Sequence, residues 1–215
     1  MKRHALFLDR DGTLVYPIHY PSRPDELCLY AGLGPELRAL QSMGFVLVVI
    51  TNQAGLAMGY FTTDDLTRMH RHLSAELKRL GVNLAGIYHC PHHPQGKIAE
   101  LTMTCACRKP RPGLLQQAAA DLDIDLARSW FVGDILDDIE AGKRAGCSTI
   151  LVDLGTEAQP EHFIRQPDFV ACNTVHALQM IQDIENGYGQ VDLSYQPLSW
   201  RPLDAWPQMS GALYD

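Results

Sequence analysis

Apolar residues recur along this 215-residue chain in two kinds of run. ALFL at 5–8 and FVLVVI at 45–50 are apolar on both faces, which predicts buried strands, because a strand with one wet face would alternate. Between them, 35–43 predicts a helix with Pro35 near its first turn and Gly44 just past its end. Residues 63–80 predict a longer helix. Thr62 or Thr63 caps it, Asp64 and Asp65 lie at its positive end, and Gly81 stops it. The same reading places strands at 86–89, 130–132 and 149–152, and helices at 112–122, 137–145 and 174–185. Strand and helix in alternation predict βαβ units, and so an α/β, Rossmann-like, mainly parallel sheet with helices on both faces.

Two stretches break the rhythm. Residues 90–109 have no clear period and are rich in Cys, His and Pro, and 187–215 carry Gly, Pro, Tyr and Trp without periodicity. The organisation expected is one domain over 1–186 with a loop insertion at 90–109, no large cap domain, and an irregular tail at 187–215.

Composition narrows the classes. A chain of this length that is 46% hydrophobic can bury one sizeable core. A net charge of −7 argues against nucleic acid or an anionic membrane as partner. No apolar run approaches the roughly 18 residues of a membrane span. The six cysteines (Cys28, Cys90, Cys105, Cys107, Cys147, Cys172) read as reduced thiols or metal ligands in a cytoplasmic monomer, not as a disulfide framework. Cys28, Cys147 and Cys172 are expected as small buried hydrophobes. Met58, Met69 and Met103 are expected in packing, and His70, His72 and His89 in structural roles.

Ligands of an open parallel sheet collect at the carboxyl ends of its strands. Asp9-x-Asp11, Thr51-Asn52, Lys109 and Gly133-Asp134 all fall at or near such ends. Acids there are often only helix caps, but four groups of complementary type fit phosphoryl transfer. Asp9 and Asp134 could hold a hard cation such as Mg²⁺. A carboxylate can serve as nucleophile and form an aspartyl-phosphate. Thr51 and Lys109 offer a hydroxyl and a positive charge to the phosphoryl oxygens. Asp11 is placed to protonate the leaving oxygen and then activate water.

The irregular segment holds Cys90-Pro-His92-His93 and Cys105-Ala-Cys107. Three cysteines and one histidine in two clusters predict a closed, structural zinc site. His92 is preferred to His93 because C-x-H mirrors C-x-C and neighbouring side chains point apart. A metal there would aim Arg108 and Lys109 at the phosphate.

DRDGT, a Thr ending the second strand, a Lys before a helix, and GDxxxD resemble the haloacid dehalogenase superfamily of phosphohydrolases over about residues 4–155. The resemblance implies Asp9 as nucleophile, Asp11 as acid/base, and Mg²⁺ held by Asp9, Asp134 and the main-chain carbonyl of Asp11, with Asp138 as an auxiliary acid. CPHHPQG with CACRKPRPG is similar to the heptose-bisphosphate phosphatases and, less closely, to the histidinol-phosphate phosphatase domain. A small sugar bisphosphate is the implied substrate, with Arg108 recognising it. Asp9, Arg10, Asp11, the loop of Pro17, Ile18, His19 and Tyr20, and the run Thr51, Asn52, Gln53 and Ala54 would line its pocket. Ile135 departs from the basic residue these phosphatases place after the metal-binding Asp, and Ala54 from their common Ser. The competing readings are a histidinol-phosphate phosphatase and a zinc-braced binding module without turnover.

Overall fold

A computed structural model describes residues 2–187. From residue 188 onward, the expected irregular tail lies outside the described residues. Six strands form one sheet: β1 (Ala5–Leu8), β2 (Val46–Asn52), β3 (Leu84–Cys90), β4 (Trp130–Gly133), β5 (Ser148–Val152) and β6 (Phe169–Ala171). Their order is β3-β2-β1-β4-β5-β6, and every neighbouring pair is parallel. The helices are α1 (Leu33–Ser42), α2 (Gly55–Met58), α3 (Thr63–Arg79), α4 (Gly113–Leu122), α5 (Leu136–Ala145) and α6 (Thr174–Glu185).

Successive side chains of a strand point to opposite faces, and both faces of this sheet are covered. Leu6 and Leu8 of β1 and Leu47 and Val49 of β2 pack with apolar residues of α1, α3 and α6. Ala5 and Phe7, with Val48 and Ile50, pack with Leu114, Leu115 and Ala118 of α4 and Ala141 of α5. That is why these strands are apolar throughout. All eight of those strand side chains are buried.

Element ends follow local chemistry. Thr62 caps α3: its hydroxyl accepts the Asp65 N–H, and the Asp65 carboxylate accepts the Thr62 N–H, a capping box. Asn173 caps α6 by accepting the His176 N–H. α1 begins at Leu33, ahead of the expected Pro35, because Gly32 turns the chain with φ 83°.

Four local expectations fail. β6 and α2 are too short to leave a periodic signal. Cys28 and Cys172 are exposed, not buried; Cys172 lies in the turn before α6, its Sγ 3.4 Å from His176 Nδ1. Met103 is exposed on the loop that follows β3, whereas Met69 packs in the core. Among the described residues, no helix is long and apolar enough to cross a membrane.

Candidate active site

β1 runs between β2 and β4, the two halves of the sheet diverge from it, and Asp9 is the first residue past its end. Lys109 arrives from the loop before α4 and pairs with two acids at once: Nζ lies 2.6 Å from Asp9 Oδ1 and 2.5 Å from Asp138 Oδ1. It also donates to the Ile50 carbonyl at 3.2 Å. Asn52 fixes its backbone, accepting the Lys109 N–H at 3.1 Å and donating to the Lys109 carbonyl at 3.2 Å. Asp134 follows β4 and accepts the Thr13 hydroxyl at 3.0 Å. Asp138 enters from the first turn of α5.

Two glycines make room for these acids. Gly12 has φ +87°, and a Cβ there would collide with the Asp134 carboxylate. A Cβ on Gly133 would collide with Asp138. The G-D-x-x-x-D spacing is therefore a packing requirement as well as a chemical one.

Charge in this centre does not balance. Asp9, Asp134 and Asp138 are all buried and offer oxygens within 4.8 Å of one another, against one ammonium. Burial pushes Asp9 up to about 7; Lys109 opposes this, and Asp138 and Asp11 add to it. Burial, then Asp9 and Asp138, raise Asp134 well above the usual carboxylate range. Burial also raises Asp138, against the pull of Lys109. Lys109 moves the other way: burial would lower it, but Asp138 and Asp9 outweigh that and keep it charged. Three carboxylates crowded in this way fit a hard divalent cation bound through oxygen, such as Mg²⁺.

Asp11 has a different setting. Its carboxylate stands outside that cluster, so any part it takes in holding the metal falls to its main-chain carbonyl. Arg10 Nε donates to Asp11 Oδ2 at 3.0 Å and Arg10 Nη2 to Oδ1 at 2.9 Å. Gln53 Nε2 donates to Asp11 Oδ2 at 3.1 Å and to Thr51 Oγ1 at 2.8 Å, while its Oε1 accepts from Arg10 Nη2 at 3.0 Å. Arg10 is thus a buried clamp on Asp11. The sequence signals neither this role nor the bridging role of Gln53, because both depend on the turn that brings residues 10 and 53 together.

Asp11 faces a cavity of about 260 Å³. Ile18, His19 and Tyr20 wall one side, Asn52, Gln53 and Ala54 another, and Arg10 and Arg108 complete it. Pro17 is exposed and does not line this cavity; Pro21 does. Thr51 is buried and lies outside the lining. Tyr20 adopts a left-handed backbone (φ 51°) and packs on Tyr60, with ring centroids 4.7 Å apart.

The second cluster is sulfur-rich. Cys107 Sγ lies 3.1 Å from Cys90 Sγ and 3.2 Å from Cys105 Sγ, and Cys90 and Cys105 are 3.5 Å apart. His92 Nδ1 completes the set, 3.4 Å from Cys107 Sγ. These separations are far beyond a disulfide bond of about 2.05 Å. They approach the roughly 3.8 Å expected between thiolates around one tetrahedral zinc with bonds of about 2.3 Å. His93 points elsewhere, its Nδ1 accepting the Gln95 N–H at 3.1 Å. The donor set fits structural Zn²⁺.

Sequence and structure comparisons agree on kinship. The HAD-hydrolase-like family model matches residues 106–178. A D-glycero-beta-D-manno-heptose-1,7-bisphosphate 7-phosphatase of Yersinia pestis is 43% identical over 158 residues, covering 73% of this chain and 84% of the relative. That of Escherichia coli K12 is 43% identical over the same length and 83% covered. Among solved structures, the D,D-heptose 1,7-bisphosphate phosphatase of B. bronchiseptica, complexed with magnesium and phosphate, aligns with TM-score 0.71 at 30% identity, over 84% of this chain and 99% of that one. A putative HAD-like phosphatase from Mesorhizobium loti aligns with TM-score 0.68 at 38% identity, over 74% and 77%. With its carboxylate–lysine centre at the end of β1 and its Cys₃His loop, this chain belongs to the heptose-bisphosphate phosphatase family of HAD-like phosphatases.

Proposed function

We propose that the protein removes the C7 phosphate of D-glycero-D-manno-heptose 1,7-bisphosphate through an aspartyl-phosphate on Asp9. The observation that carries this reading is Asp9 itself: a buried carboxylate with one oxygen on Lys109, beside a cavity walled by Asp11 and Arg108.

In this reading a free oxygen of Asp9 attacks phosphorus while Lys109 neutralises charge on the phosphoryl oxygens. Thr51 Oγ1 accepts from Gln53, so its own proton is free to bond a phosphoryl oxygen. Asp11, held in orientation by Arg10 and Gln53, gives a proton to the departing sugar oxygen. It then takes one from the water that hydrolyses the aspartyl-phosphate, and Asp9 is regenerated. Mg²⁺, held by Asp9, Asp134 and the Asp11 carbonyl with Asp138 beside them, supplies charge compensation when bound. Zn²⁺ on Cys90, His92, Cys105 and Cys107 braces the loop that delivers Arg108 and Lys109. The catalytic unit spans 1–186, and it works as a cytoplasmic monomer on a small molecule, without nucleic acid or membrane.

Asp9→Asn tests the chemistry. It should fold, yet lose essentially all turnover, and beryllium fluoride with Mg²⁺ should attach at Asp9 in the unsubstituted protein only. Near-normal turnover in Asp9→Asn would overturn the covalent route. A panel of sugar phosphates tests the substrate. Faster turnover of histidinol phosphate than of the heptose bisphosphate would overturn that part alone.

A further inference from the structure

We propose that the cavity flanking the zinc loop is an anion subsite in which Arg111, together with Arg108, grips the second, non-reacting phosphate of the substrate. The inference rests on the reading above that the substrate is a sugar bisphosphate.

This cavity of about 310 Å³ is separate from the one facing Asp11. Thr104, Cys105 and Arg111 border it, and so do Arg108 and Lys109, which link it to the catalytic centre. Arg108 borders both cavities, so a sugar lying against it in the first has its far end beside the second.

The two cavities differ in available charge. In the first, Arg10 is committed to Asp11 and is buried. In the second, neither arginine forms an ion pair among the described residues. Arg108 Nη1 donates to the His92 carbonyl at 3.4 Å, and Arg111 Nη1 donates to the Cys105 carbonyl at 2.6 Å. Each guanidinium carries five N–H donors, so most of each fork remains free. The acid at the rim, Asp137, is engaged by Arg165 Nη2 at 2.9 Å and does not neutralise them.

What holds the two arginines is informative. Their carbonyl partners belong to His92 and Cys105, two members of the Cys₃His set. A metal that fixes those residues also fixes two guanidinium bases in register, leaving planar forks for the bidentate contact that phosphate favours. The zinc loop thereby positions a second cation as well as Arg108. Ile135, where the family resemblance leads one to expect a basic residue, leaves that cation as the added source of positive charge.

The test compares kcat/KM for heptose 1,7-bisphosphate and heptose 7-phosphate in the unsubstituted protein, Arg111→Ala and Arg111→Lys, with zinc content measured for each. In Arg111→Ala the bisphosphate-to-monophosphate ratio should fall on the order of 10- to 100-fold, chiefly through KM for the bisphosphate. Arg111→Lys should recover part of it, since charge returns without the fork. An unchanged ratio in Arg111→Ala with zinc retained overturns the subsite. An equal fall on both substrates with loss of zinc also overturns it, by making Arg111 a brace for the loop. An unsubstituted protein with no preference for the bisphosphate instead removes the substrate reading beneath it.

Discussion

At the residue scale, the centre behaves as a store of uncompensated negative charge. In the unfolded chain Asp9 has an ordinary value near 3.8, and in the metal-free fold it reaches about 7. The folded state therefore holds a proton that the unfolded state has released, and stability falls as pH rises through that window. A divalent cation expels the proton. Mg²⁺ should accordingly raise the melting temperature more at pH 7.5 than at pH 5.5; an equal rise at both would show that the acids are already ionised. His70 tilts the opposite way. Burial lowers it to about 3, with the charge of Arg10 and the His89 ring adding to that, so its contribution is present above about 6.5 and is lost as pH falls. His70→Gln should flatten the acid limb of the stability profile in Mg²⁺-free buffer. Gly12→Ala is the sharpest single test of local packing. It strains φ +87° and drives a methyl into Asp134, so Mg²⁺ affinity, read by titration, should weaken at least tenfold. The acids and Lys109 were legible because their motif spacing survives in one dimension. The orientation of Arg10 was not, since it depends on Gln53, 43 residues away.

At the element scale, long periodic helices read well and short ones did not. α3 and α6 carry caps written in the sequence, and the expected starts hold at Thr63 and Thr174. β6 has three residues and follows a proline, too little to set a period. Thr62→Ala removes both arms of the α3 cap and should cost about 1 kcal/mol in urea unfolding, with turnover unaffected. The loop between β3 and α4 depends on its metal instead of hydrophobic packing. Its order should therefore collapse in Cys105→Ser, with zinc lost from elemental analysis and kcat reduced through misplaced Lys109. Retention of one zinc per chain would contradict the assigned ligand set. Gly113 sets the junction: a Cβ there would strike the Ala106 carbonyl, so α4 can start hard against the loop only with glycine.

At the scale of the whole molecule, alternation of strand and helix was enough to read a parallel sheet covered on both faces, because apolar runs on both faces leave no wet side. The strand order was not legible in the same way: which neighbour each strand takes is decided by crossovers, not by the composition of any one strand. That order, with β1 between β2 and β4, also bears on the birth of the protein. The first strand to leave the ribosome is among the last to be enclosed. Until residues 130–138 emerge, β1 lacks its β4 partner and neither Asp134 nor Asp138 has joined Asp9. A nascent chain is therefore inert toward phosphate esters until about two-thirds of it has been made, and through that interval it presents an unpaired apolar strand edge of the kind that chaperones shield.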